Sequence, residues 1–134
     1  HGLRVTPTSE GSSVQWAIPS GKRNAVLLEW LSVRVGQVSG AAADDIFVQI
    51  RNGATWSAEI PVAAHGIVAQ PLSFCIDLCF GAFTANHMGT VRVPLGALGA
   101  HDDVTAVRVK FRSDTLSKSF ILDNLELSEG IFQE

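Results

Sequence analysis

The stretch from Val104 to Arg112, VTAVRVKFR, decides the fold: Val107, Val109 and Phe111 fall on one side of an extended chain, and Arg108, Lys110 and Arg112 on the other. Successive side chains on a strand point to opposite faces, so this is a strand half-buried against a core. The same twofold alternation recurs outward from it. TVRVPL places Val91, Val93 and Leu95 inward, and LSVRVGQ sets Leu31, Val33 and Val35 against Ser32, Arg34 and Gly36. DDIFVQIRNG sets Ile46, Val48 and Ile50 against Phe47, Gln49 and Arg51, then stops at Asn52-Gly53, a turn dipeptide. Beyond it, TWSAEIPV alternates Ala58, Ile60 and Val62 with Ser57 and Glu59, which pairs the two runs as a hairpin.

Three further runs are less regular. VQWAI around Trp16 and AVLLEWL before Leu31 make two strands or one extended one. SFILDNLELS offers Ile121, Leu125 and Leu127 to a core, with Asp123 interrupting that apolar face. The middle, from His65 to Met88, alternates weakly and is expected to be loop-rich. Short strands separated by Gly, Ser, Asn and Asp, with no sustained helical period, argue for an all-β, two-sheet antiparallel β-sandwich.

Composition agrees. The chain has 134 residues, 46% hydrophobic and 17% charged, enough apolar content for one core, and residues 1–134 are expected to form a single domain. A net charge of -3 gives no pull toward nucleic acid or an anionic membrane surface. No stretch approaches the length of a membrane span, and the amino end lacks the layout of a signal peptide, so it reads as the start of a mature or excised fragment.

Taken in order, WLSVRVGQVSG, DDIFVQIRNG, TVRVPLGALGAHDDVTAVRVKFRSD and FILDNLELSEG resemble the jelly-roll domains of the carbohydrate-binding module type. More narrowly, they are similar to modules near the carboxyl ends of large secreted bacterial proteins. The resemblance runs from about Trp16 to Leu127 and is thin between Ala63 and His87. It implies a jelly roll, a secreted or extracellular location, and non-catalytic binding of a polysaccharide near a catalytic domain of the same parent chain. Jelly rolls of this shape also serve as adhesion or spacer modules with no glycan site, which is the alternative. The resemblance further implies a structural calcium ion, Ca2+, held by an aspartate of the final strand, and Asp123 is the matching position. Glu10, Asp44, Asp45, Asp102 and Asp103 are the other carboxylates expected in loops, although none has the spacing of a calcium motif. Otherwise Asp123 caps loop amides or pairs with an arginine, because a carboxylate on an apolar face needs a partner.

Candidate binding residues follow from sugar chemistry. Sugar rings present apolar C–H faces that stack on aromatic rings. Of the three Trp, Trp16 alternates with core residues, whereas Trp30 shares a face with Ser32 and Arg34, and Trp56 follows the Asn52-Gly53 turn. Trp30 and Trp56 are thus the candidate platforms, or else they pack and cover a sheet edge. Arg34, Arg51, Arg92, Arg108, Lys110 and Arg112 all alternate with core residues. On one sheet they would make a basic platform for carboxylated or sulfated sugars. Alternatively they are solvated and pair with Glu29, Glu59 and Glu126.

Nothing anchors catalysis. The sequence has no Gly-x-Ser-x-Gly elbow, no His-Glu-x-x-His and no phosphate-cradling loop, and adjacent Asp102 and Asp103 would point to opposite faces of a strand. An amino-terminal His1 can chelate copper, as in oxidative polysaccharide-cleaving enzymes that begin His-Gly, but the remaining chain does not resemble them. Cys75 and Cys79 would stand roughly 13 Å apart on a regular strand, so a disulfide between them requires a turn; the alternative is two buried thiols.

Overall fold

The alternating segments become strands of two antiparallel sheets. The computed structural model describes residues 3–38, 43, 45–66, 72–76, 81–85 and 89–129, with the backbone alone for 72–76 and 81–85. The strands are β1 (Leu3–Val5), β2 (Ser12–Ala17), β3 (Trp30–Gln37), β4 (Ile46–Asn52), β5 (Thr55–Trp56), β6 (Ile60–Pro61), β7 (Leu72–Ile76), β8 (Gly81–Ala85), β9 (Gly89–Pro94), β10 (Val104–Phe111) and β11 (Phe120–Ser128). One sheet of the sandwich has the order β1-β11-β3-β9; the other runs β2-β10-β4-β5, with β6 also pairing to β4, and β7 and β8 pair separately as a two-stranded ladder. The connections leap between sheets, and the molecule is a jelly-roll β-sandwich.

The inward rows meet between the sheets. Leu31, Val33 and Val35 of β3 and Val91 and Val93 of β9 face Ile46, Val48 and Ile50 of β4 and Val107, Val109 and Phe111 of β10, all at most 2% exposed. Phe111 and Phe120 carry the contact across the interior, their ring centroids 5.4 Å apart. Gln37 extends the inward row of β3 and is buried, yet its Oε1 accepts the Ala43 N–H at 3.0 Å, so the amide is not left without a partner.

Four expectations need correction. The first concerns Asp123. Phe120 and Leu122 are the buried residues of β11, so Ile121 and Asp123 point away from the core. Against β3 the register steps from Asp123↔Arg34 to Glu126↔Ser32, three residues against two, which is a β-bulge. Asn124 supplies the bend at φ 49, a left-handed conformation that Asn tolerates better than most residues. Counting back in twos from Leu127 therefore lands on the wrong side of the strand upstream of the bulge.

Second, AVLL is not a strand. Val26 and Leu27 are 56% and 84% exposed, because Asn24 Oδ1 accepts the Val26 N–H and the Leu28 N–H bonds back to the Ala25 carbonyl, closing a turn. Third, the stretch expected to be loop-rich contains the β7-β8 hairpin, in register from Leu72↔Ala85 to Ile76↔Gly81. Fourth, the central residues of the β4-β5 turn are Gly53 and Ala54, since Asn52 itself pairs with Thr55. Gly53 sits at φ 60, as a primed hairpin turn with glycine first requires. Asn52 braces the turn from its flank: its Oδ1 accepts the Asp103 N–H at 2.8 Å and its Nδ2 donates to Asp102 Oδ1 at 3.0 Å. His1, Asp44, Cys79 and His87 lie outside the described residues, and so do the questions of copper and of a Cys75–Cys79 bridge.

Candidate functional site

The outer face of the five-stranded sheet collects most of the predicted binding residues. Strand β10 directs Arg108 and Lys110 outward, and its antiparallel neighbour β4 presents Phe47, Gln49 and Arg51 in register Lys110↔Phe47, Arg108↔Gln49 and Ala106↔Arg51. Across the next ladder Arg51 pairs with Trp56. Residues paired across strands share a face, so Trp56, Arg51, Gln49, Arg108 and Lys110 form one contiguous surface.

Two groups of contacts organise it. At the β5 end, the Arg108 guanidinium lies 3.8 Å from the Trp56 ring centroid, a cation–π stack. Gln49 fixes that pose: its Oε1 accepts from Arg108 Nε at 3.0 Å and Nη2 at 2.7 Å, while its Nε2 donates to the Ser57 carbonyl at 2.7 Å. At the opposite end, Glu59 accepts from Lys110 Nζ at 3.0 Å and from Arg112 Nε and Nη2 at 2.8 and 2.6 Å. Glu10 adds a contact to Arg112 Nη1 at 3.2 Å and accepts the Ser113 N–H at 2.7 Å. Lys110 and Arg112 are thus neutralised, as a solvated sheet face requires, but by Glu59 and Glu10.

The Arg112 hydrogen bonds, opposed by burial and reinforced by Lys110, hold the Glu59 carboxyl down at about 2, from an ordinary 4.5. A depressed folded value means that the ionised form favours the folded state. Its contribution is complete above about 4.5 and is lost as pH falls toward 2. The carboxylate side chain is 26% exposed, so screening reduces the effect. Glu59→Gln is expected to cost on the order of 1–2 kcal/mol at pH 7 and nearly nothing at pH 2, read as the urea midpoint at each pH. Equal losses at both pH values would show that Glu59 acts by packing.

Beside the Trp56–Arg108 stack, a cavity of about 400 Å³ is lined by Asn52, Thr55, Trp56 and Ser57, with Ile50 and Leu98 among its apolar walls. That size lies within the range of small-molecule pockets, roughly 300–1,000 Å³. Asn52 and Ser57 are already committed: Ser57 Oγ accepts the Ile50 N–H at 3.0 Å and donates to the Ala58 carbonyl at 3.0 Å. Among the described residues Thr55 remains as the polar lining group without such a bond, and the Trp56 ring carries Arg108 on one face.

Trp30 and Arg34 are elsewhere. They belong to β3 and lie on the outer face of the other sheet, where Trp30 pairs with Pro94 and Ser128, and Arg34 with Thr90 and Asp123. Arg92 is on that sheet too, opposite Ser32. The six alternating cations therefore do not make one platform; the sandwich divides them four and two. Sequence reading named Glu59 as a partner of the cations but passed over Gln49 as an organiser of the face. The available signal was its outward position between cations, which acquires meaning only once β4 and β10 are neighbours.

The carboxylates named for calcium are dispersed. Glu10 serves Arg112, Asp102 serves Asn52, and Asp123 accepts the Asn124 N–H at 2.8 Å opposite Arg34. Among the described residues no group of three or more His, Cys, Asp or Glu could hold a metal ion. The calcium expectation at Asp123 rests on the resemblance alone. A bound ion stabilises by mass action, so a fall in melting midpoint on chelation is the result calcium would give, and an unchanged midpoint would remove Asp123 from the ligands.

This geometry defines a jelly-roll sandwich carrying an aromatic and polar outer face on one sheet. No protein family matches the chain, and no curated protein matches it. A beta-1,2-glucanase from Parabacteroides distasonis is similar in structure with a TM-score of 0.63 and 17% identity, over 90% of this chain and 17% of the glucanase. The family 11 carbohydrate-binding module from Clostridium thermocellum, solved with a beta-1,3-1,4-mixed-linked tetrasaccharide, is similar with a TM-score of 0.59 and 12% identity, over 98% of this chain and 78% of the module. At these identities the likeness establishes the fold, and this chain spans about a sixth of the glucanase.

Proposed function

We propose that the chain is a non-catalytic carbohydrate-binding module of a secreted protein, holding a polysaccharide near a catalytic domain of the same parent chain. The observation that carries this reading is Trp56. It lines a cavity of ligand size, lies under the Arg108 guanidinium 3.8 Å away, and adjoins Arg51 and the fixed amide of Gln49. An aromatic body with directional donors beside it suits a sugar, whose C–H faces are apolar and whose rim is hydroxylated. Likeness to a module solved with a tetrasaccharide, and to a small part of a much larger glucanase, supports the same reading. Tethering would raise the local concentration of a catalytic domain on its substrate.

Affinity electrophoresis through gels containing soluble polysaccharides tests the proposal. Trp56→Ala is expected to weaken retardation at least about tenfold, from lost stacking and a released Arg108, whereas Trp30→Ala on the opposite sheet leaves it unchanged. Uniform mobility across the glycan panel would instead support an adhesion or spacer module. Retardation lost only with Trp30→Ala would move the site to the other sheet.

A further inference from the structure

The cations of the binding face are not equivalent. Lys110 and Arg112 are matched by Glu59 and Glu10, but neither Arg51 nor Arg108 has an acidic partner among the described residues. They are diagonal neighbours on adjacent strands, as the register Arg51↔Ala106 and Arg108↔Gln49 requires. Like charges so placed on a sheet repel each other. The fold nevertheless holds them there: Arg108 is oriented by Gln49 and the Trp56 ring, and Arg51 is the cross-strand partner of Trp56.

Their donors are also unspent. Arg108 gives two N–H groups of its five to Gln49 and has three left; the Nε of Arg51 has no acceptor among the described residues but is itself buried, so a ligand would meet Arg51 through its terminal nitrogens. A buried N–H without an acceptor is costly, and a guanidinium offers its donors in a planar fork matched to two oxygens of one anion. An anionic group between the two arginines would remove their repulsion and take up their free donors, with the rest of its sugar ring beside Trp56. Neutral Gln49 has a part in this, because it orients Arg108 without cancelling its charge. Glu59 could not do so.

Building on the proposed glycan-binding role, we infer that the preferred ligand is an acidic polysaccharide whose carboxylate or sulfate is received by Arg51 and Arg108 beside Trp56. Binding by calorimetry and affinity electrophoresis is compared for polygalacturonate, a sulfated galactan and a neutral mixed-linked glucan, using the whole chain. At least one acidic polymer is expected to bind about tenfold more tightly than the neutral glucan, and Arg51→Gln to remove about that factor. Arg34→Gln, on the other sheet, controls for overall charge and is expected to bind like the unaltered chain. Urea midpoints establish that both variants are folded. Which acidic polymer binds assigns the anion as carboxylate or sulfate.

Equal affinity for neutral and acidic polymers, or equal loss from Arg34→Gln and Arg51→Gln, would overturn the inference and leave the glycan-binding role standing. Failure of all three polymers to bind would overturn both.

Discussion

Phe111→Ala is expected to destabilise the protein by about 3–5 kcal/mol, the largest effect of any single truncation considered. Phe111 is fully buried on β10, and its ring meets that of Phe120 on β11 with centroids 5.4 Å apart and planes inclined at 37°. The pair thus joins the two sheets, and truncation loses transfer free energy, the aromatic contact and the packing around the vacated volume. Domains of this kind are stable by about 5–15 kcal/mol, so the loss ranges from about a fifth of the total to nearly all of it. Urea unfolding measures it, with Phe111→Leu expected to recover more than half of the loss because most of the volume is refilled. An unchanged midpoint for Phe111→Ala would mean that the sheets do not pack through this pair.

Gly66→Ala is expected to be the next most damaging, at about 1–3 kcal/mol, although it adds a single methyl group. Gly66 forms a bridge with Val91 of β9, and a Cβ there would stand 2.7 Å from the Thr90 carbonyl oxygen and 2.9 Å from Val91 Cα. Both obstructing atoms are backbone, so neither can rotate away. Relief requires the segment to lift from β9. That movement threatens the neighbouring hydrogen bond from the Arg92 N–H to the His65 carbonyl at 3.2 Å and the burial of Val62 just upstream. Hydrogen exchange at the Arg92 amide is expected to quicken in Gly66→Ala ahead of the β10 amides, as local opening precedes global unfolding. Protection equal to that of the unaltered chain would show that the ladder accommodates the methyl group.

Legibility differed from strand to strand for physical reasons. In β3, β4 and β9, and in β10 from Val107 onward, the alternation is uninterrupted, and every residue assigned to the core there is buried. In β11 the assignment failed at Ile121 and Asp123 yet held for Leu125 and Leu127, which pack against the core. The difference is the extra residue at Asn124, which exchanges the faces of everything before it. A bulge costs one unpaired residue and leaves the composition of a strand unaltered, so counting in twos passes over it. AVLL failed for another reason: Asn24 and the Ala25–Leu28 hydrogen bond favour a local turn over extension, whatever the hydrophobicity of the run.

By itself the sequence determined that this is a two-layer β protein and which side chains of its regular strands face inward, because sidedness along a strand is local, set by a backbone that reverses direction at each residue. It also marked Arg51, Arg108 and Lys110 as outward and Trp56 as a candidate platform. Only the tertiary structure decided which outward rows lie together. The order β2-β10-β4-β5 sets Arg51 beside Arg108, more than fifty positions later, and sends Trp30 and Arg34 to the opposite surface of the sandwich. Such pairings depend on how distant strands close over a shared core, and the alternation within any one strand carries no record of its neighbour.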